Sequence, residues 1–191
     1  MNIEMLIVPN PQSLTRVLLL QGFEQFAIAH EYAHHVAEHG MAESVRVGGD
    51  PESAEQEIEA DIFAVALCRY IETRKQYPNT FLISGVAPVV LLKCLDYVRR
   101  TRRIFAGNEH SREKLGTHPE TEERVLAFDS YVDGVPPKLA AAFQQMRHDV
   151  CSIIDTVWNR LSPLYRLMYE DGLRVEDSSV AWLPGSAGRR Y

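Results

Sequence analysis

Apolar residues recur along most of this chain at the three- and four-residue steps of a helix rather than the two-residue step of a strand. From Ser13 to His39 one face collects Leu19, Phe23, Phe26, Ala33 and Ala37, which predicts a first helix with Ser13 as its N-cap and Gly40 as its stop. The Gly48-Gly49-Asp50-Pro51 cluster is a turn, and Glu52 to Gln76 reads as a second helix with acids in its first turn, ended by Tyr77-Pro78-Asn79. A third helix is predicted from Ala87 to Arg103, with Val90, Leu91, Leu95 and Val98 at helical spacing. Gly107 to Gly116 reads as a loop, after which Thr117-His118-Pro119-Glu120 offers a cap and a proline where a fourth helix starts, running towards Tyr131. Beyond Gly134-Val135-Pro136-Pro137, the residues Leu139, Phe143, Met146, Val150, Ile153 and Val157 alternate steps of four and three, the mark of a long helix. Ser162-Pro163 predicts a break there and a restart through Met168. Only residues 3 to 8 read as a strand, closed by Pro9-Asn10-Pro11.

These elements predict a mainly α fold with at most a small N-terminal strand, a single domain over residues 1–172 and a weakly patterned tail over 173–191. A net charge of −6 argues against nucleic acid or an anionic membrane as a general partner, because both favour a basic surface. Cys68, Cys94 and Cys151 are widely spaced and form neither a disulfide framework nor a Cys-x-x-Cys pair, which fits a reducing cytoplasm. No basic segment precedes an apolar run at the N-terminus, so no secretory signal is expected. The apolar stretch from Phe81 to Leu92 is interrupted by Gly85 and Pro88 and is short of the roughly 20 residues a membrane span needs, so it is expected to be buried in protein.

The chemistry concentrates in the first helix, where His30-Glu31-Tyr32-Ala33-His34 spells His-Glu-x-x-His. Residues four apart lie one turn apart on the same face, so both imidazoles can converge on one cation. Glu31 sits beside them, placed to take a proton from a water that the cation activates without being a ligand itself. A catalytic zinc ion takes three protein ligands and keeps one position open, so a third ligand is needed. In Glu57-Ile-Glu-Ala-Asp61, Glu57 and Asp61 again stand one turn apart, so one can bind metal while the other orients a ligand histidine. Glu59 points elsewhere, and taken alone the run Glu52, Glu55, Glu57, Glu59 also reads as a solvated acidic face.

Three motifs in order, His30-Glu-Tyr-Ala-His34, Glu57-Ile-Glu-Ala-Asp61 and Thr117-His118-Pro119 followed by Arg124-Val125, resemble the HtpX and CAAX prenyl protease family of gluzincin zinc metallopeptidases over residues 26 to 125. The resemblance implies a zincin-like core built on an active-site helix and a glutamate helix. It implies one zinc ion held by His30, His34 and Glu57, with Glu31 as general base and Asp61 supporting a ligand histidine. His118 is implied as a second catalytic residue, donating to the oxyanion, and Arg124 as an anchor for Asp61 or for a substrate carboxylate. A peptide or protein would be the substrate. Members are typically membrane-embedded and bind substrate along an edge strand, whereas this chain has no spanning stretch and offers only residues 3 to 8 as such a strand.

Other readings stay open beside this one. A regulatory or non-catalytic zinc-binding helical protein acting through a partner, or a helical module with a structural metal, would use the same histidines; soluble regulators with a similar helix usually carry asparagine where Asp61 stands. The ligand set can also hold iron. His35-Val-Ala-Glu38-His39 spells the inverted motif, but its histidines lie roughly 140° and 180° around the helix from His30, which makes them surface residues. Arg99, Arg100, Arg102 and Arg103 fall where cations complement a helix C-terminus. The stripe from Leu139 to Val157 either completes the core or pairs the chain with a second copy.

Overall fold

The computed structural model describes residues 10–37, 54–109, 119–130 and 135–174, and every regular element among them is a helix. These are α1 (Pro11–Val36), α2 (Ala54–Glu72), α3 (Thr80–Ile83), α4 (Val86–Phe105), α5 (Thr121–Ser130) and α6 (Pro137–Glu170). The expected strand at residues 3 to 8 and the segment from residue 175 onward lie outside the described residues. No described helix is long and apolar enough to cross a membrane.

The start of α1 differs from the sequence reading. Asn10, not Ser13, is the N-cap: its side chain accepts from the Gln12 N–H at 2.9 Å, and Pro11 takes the first helical position. The Asn-Pro pair explains this, since proline pushes the preceding residue to extended backbone, as a cap requires, and needs no donor in the first turn. The helix closes at Val36, with Ala37 capping and exposed rather than on a buried face; His39 and Gly40 lie outside the described residues.

α1 and α2 run antiparallel, because the end of α1 (His30, His34) meets the start of α2 (Glu57, Asp61) while Leu18 near the start of α1 meets Asn79 beyond the end of α2. α2 stops four residues before Gln76, where the buried Glu72 carboxylate accepts from the Asn79 N–H at 2.7 Å and draws the chain into a turn. Asn79 is itself buried and ties three elements together. Its amide donates to the Leu18 carbonyl at 2.7 Å, and its carbonyl caps α3 through the Phe81 N–H at 3.1 Å. Phe26, Ala29, Ala64, Val65, Leu82, Ala87, Leu92, Val125 and Phe128 form the core between α1, α2, α3, α4 and α5. Gly22 permits the close crossing of α1 over α4, for a Cβ there would stand 2.6 Å from Ala87 Cβ.

α4 starts one residue before Ala87, after Gly85 at φ 75°, a left-handed conformation that only glycine adopts without cost. Its buried face carries Val89, Leu92, Lys93 and Asp96, whereas Leu95 and Val98, two of the residues that gave the helical spacing, are exposed. The reason is α6, which lies parallel to α4. Lys93 meets Asp155, Tyr97 meets Trp158 and Tyr165, and Phe105 meets Tyr165, so the seam is closed by aromatic rings and ion pairs. α6 does not break at Ser162-Pro163 as the sequence predicted; it continues to Glu170 with Pro163 inside it. Proline removes the helical bond to the Asn159 carbonyl at a point where both residues are exposed. Contacts of Trp158 and Tyr165 with Tyr97 pack the helix against α4 on either side of Pro163.

Candidate metal centre

The donors predicted from two separate helices meet at one point. His30 Nε2 is 3.1 Å from His34 Nε2 and 3.6 Å from Glu57 Oε2, and His34 Nε2 is 3.7 Å from Glu57 Oε1. Tetrahedral ligands about 2.0–2.1 Å from a zinc ion stand roughly 3.3–3.4 Å apart, so these separations bracket what a shared ion needs. Among the described residues this is the one group of three His, Cys, Asp or Glu donors close enough to hold a metal. The donor set fits zinc, and it also fits iron.

Local structure explains the convergence. His30 and His34 occupy successive turns of α1, on the flank of its buried face next to Phe26, whose ring is 6.0 Å from that of His30 and stands edge-on to Phe128. Glu57 belongs to the first turn of α2 and is 1% exposed, which rules out the solvated acidic face for this residue. Glu55 and Glu59 are exposed, as the helical spacing implies. A carboxylate so deeply buried carries a large desolvation penalty unless cations or donors surround it.

Asp61 is fully buried one turn further along α2 and approaches His30 Nδ1 at 3.0 Å. The ring N–H is not aligned straight at the oxygen, so this is a close polar contact rather than a well-formed hydrogen bond. Even so, a carboxylate at Nδ1 favours the tautomer protonated there, leaving the Nε2 lone pair facing His34 and Glu57. Arg124 of α5 grips Asp61 from the other side, Nε at 2.5 Å from Oδ2 and Nη2 at 2.6 Å from Oδ1. Its Nη2 also lies 3.7 Å from Glu57 Oε2, so one guanidinium faces both carboxylates. Of the two roles open to Arg124, the geometry gives the anchoring of Asp61.

Glu31 is exposed on α1, adjacent to His30, and His35 is exposed on the far side of the helix, as predicted. His118 lies outside the described residues, while Pro119 immediately after it is buried. α5 then begins at Thr121, its first helical bond running from the Arg124 N–H to the Glu120 carbonyl.

A second polar interior went unread in the sequence. Lys93, 4% exposed, donates to Glu122 and Asp155 at 3.0 Å each, and the buried Arg147 binds Asp129 at 2.7 Å and the Ser84 carbonyl at 2.6 Å. Burial pulls the Lys93 ammonium down, but its hydrogen bonds to Glu122 and Asp155 outweigh that and raise it above the usual lysine range. Beside it, a groove of about 620 Å³ between α5 and α6 is lined by Leu126, His148, Cys151 and Thr156, among others. None of His30, His34 and Glu57 lines it, so it is a separate feature from the donor cluster. Burial pushes the Cys151 thiol up, which makes it a poor nucleophile despite its neighbour His148. Comparison of the chain with protein-family models, with curated proteins and with solved structures finds no match to any of them.

Proposed function

We propose that this protein is a zinc-dependent metallopeptidase, a soluble relative in kind of the gluzincins its motifs resemble, with α1 as active-site helix and α2 as glutamate helix of a zincin-like core. The observation that carries the reading is the 3.1–3.7 Å spacing of His30, His34 and Glu57, which suits one shared ion. His30, His34 and Glu57 would hold the ion, which would supply Lewis acidity to a water and to a carbonyl. The chain supplies the rest. Asp61, clamped by Arg124, holds the His30 ring in its ligand orientation. Glu31 accepts the proton of the attacking water and returns it to the leaving amine as the peptide bond breaks. His118, two motifs downstream, is the proposed oxyanion donor. A cytoplasmic peptide or protein is the proposed substrate.

Elemental analysis of the purified chain beside His34→Ala and Glu57→Ala tests the site: stoichiometric zinc in the parent and its loss from both variants is expected. Iron in place of zinc would correct the metal; metal retained by Glu57→Ala would remove the third ligand. Peptidase assays of Glu31→Gln test the reaction, with metal kept and turnover abolished. Turnover that persists in Glu31→Gln excludes the proposed base.

A further inference from the structure

The long α6 helix presents an apolar stripe that no other described element covers. Leu139, Met146, Ile153, Val157, Leu164 and Leu167 are all at least two-fifths exposed, Ile153 reaching 62%. They do not face α4, which instead packs against Trp158 and Tyr165 of α6, with Arg147 reaching Ser84 just before α4. The stripe therefore lies on another side of the helix, at the three-and-four spacing of a coiled-coil seam sustained over four heptads. Surface helices of globular domains turn such a seam inward; one left outward over about 40 Å has the period of a partner helix of equal length. The six residues expose on the order of 500–600 Å² per copy, at the top of the range of ordinary surface patches and about two-thirds of the roughly 800 Å² per partner of a standard stable interface, to which the half-buried Phe143 and Val150 of the same stripe add.

We infer that α6 pairs with α6 of a second copy of this chain, antiparallel, about a two-fold axis passing between Ile153 and Val157. Charge decides the direction. A parallel, in-register pair sets Arg160, which occupies a seam position, directly against Arg160 of the other copy. The antiparallel pair stacks Ile153 on Val157 and Met146 on Leu164 of the other copy. It also brings Asp149, which flanks the seam, beside Arg160 of the other copy, and the two-fold repeats that ion pair. Asp149 and Arg160 are both exposed and able to reach outward. The inference is independent of the metal reading, since α6 contributes no ligand to the donor cluster.

Sedimentation equilibrium of the full chain at micromolar concentrations is the test, with a dimer of twice the 21.7 kDa chain mass expected. Ile153→Glu, at an exposed position that leaves the fold intact, should raise the dimer dissociation constant about a hundredfold or more while helicity by circular dichroism stays unchanged. Asp149→Arg should weaken the dimer, and adding Arg160→Asp should restore it, because the reversed pair again meets opposite charges. A chain monomeric at all concentrations, its stripe then covered by its own remaining segments, would overturn the inference. A dimer indifferent to Ile153→Glu would also overturn it, and one indifferent to the charge reversals would overturn the antiparallel arrangement.

Discussion

Arg124 holds both carboxylate oxygens of Asp61 in a fork, at 2.5 and 2.6 Å, across 63 residues of sequence. The pair is almost wholly inside the protein, Asp61 with no exposure and the Arg124 side chain with 11%. On its far side Asp61 meets His30 at 3.0 Å, so α5 is coupled through one carboxylate to a residue of the donor cluster on α1. This relation makes the donor cluster a three-helix construction, although only two helices supply its donors.

Arg124→Ala should therefore act twice. It leaves Asp61 buried without its cation, which costs about 3–5 kcal/mol of stability, read as a fall in the denaturation midpoint of the metal-free chain. It also frees the carboxylate that orients His30, and metal affinity by chelator competition should drop about 10–100-fold. Arg124→Lys, unable to make the two-pronged contact, should recover only part of either loss. An unchanged affinity in both variants would mean that Asp61 orients His30 unaided.

Gly22→Ala should destabilise the chain by roughly 1–3 kcal/mol in urea titration, because the added Cβ meets Ala87 Cβ at 2.6 Å and α1 must move off α4. The general preference of helices for alanine over glycine, about 1 kcal/mol, works in the opposite direction. A stabilised Gly22→Ala variant would show that the crossing is looser than the contact indicates.

Pro163→Ala should raise stability by up to about 3 kcal/mol, since it restores the missing bond to the Asn159 carbonyl inside an uninterrupted helix. Thermal denaturation measures it. A loss of stability would indicate instead that the helix needs the bend proline favours.

Tyr97 provides a pH-dependent readout of the α4–α6 seam. Burial, and then the hydrogen bond between its hydroxyl and that of Tyr165 at 2.9 Å, push its phenol from 10.0 up to about 12. Because the folded value lies above the unfolded one, this contribution to stability is complete below pH 10.0 and is lost as pH rises towards about 12. Near-ultraviolet titration should show a late-ionising tyrosine, assigned to Tyr97 by its loss in Tyr97→Phe. In Tyr165→Phe that ionisation should move back towards 10.0 and the alkaline loss of stability should flatten.

The helices and the two-histidine motif were legible in the sequence because both are local. Four-residue spacing on a helix fixes a shared face whatever surrounds it, so His30 with His34, and Glu57 with Asp61, could be paired before any tertiary contact was known. The mainly α character follows from the same periodicity. What depended on distant partners was misread or unread. Ser162-Pro163 carried the local signature of a helix break, yet α6 continues through it with Trp158 and Tyr165 packed on Tyr97. Leu95 and Val98 stand at helical spacing with apolar neighbours, and of the two readings open to the stripe of Ile153 the core is excluded; the polar and aromatic seam between α4 and α6 left all three exposed. Spacing placed Glu57 and Asp61 together but could not say that both are buried. That was decided by Arg124, whose guanidinium offsets charges that neither α1 nor α2 could hold in the interior alone.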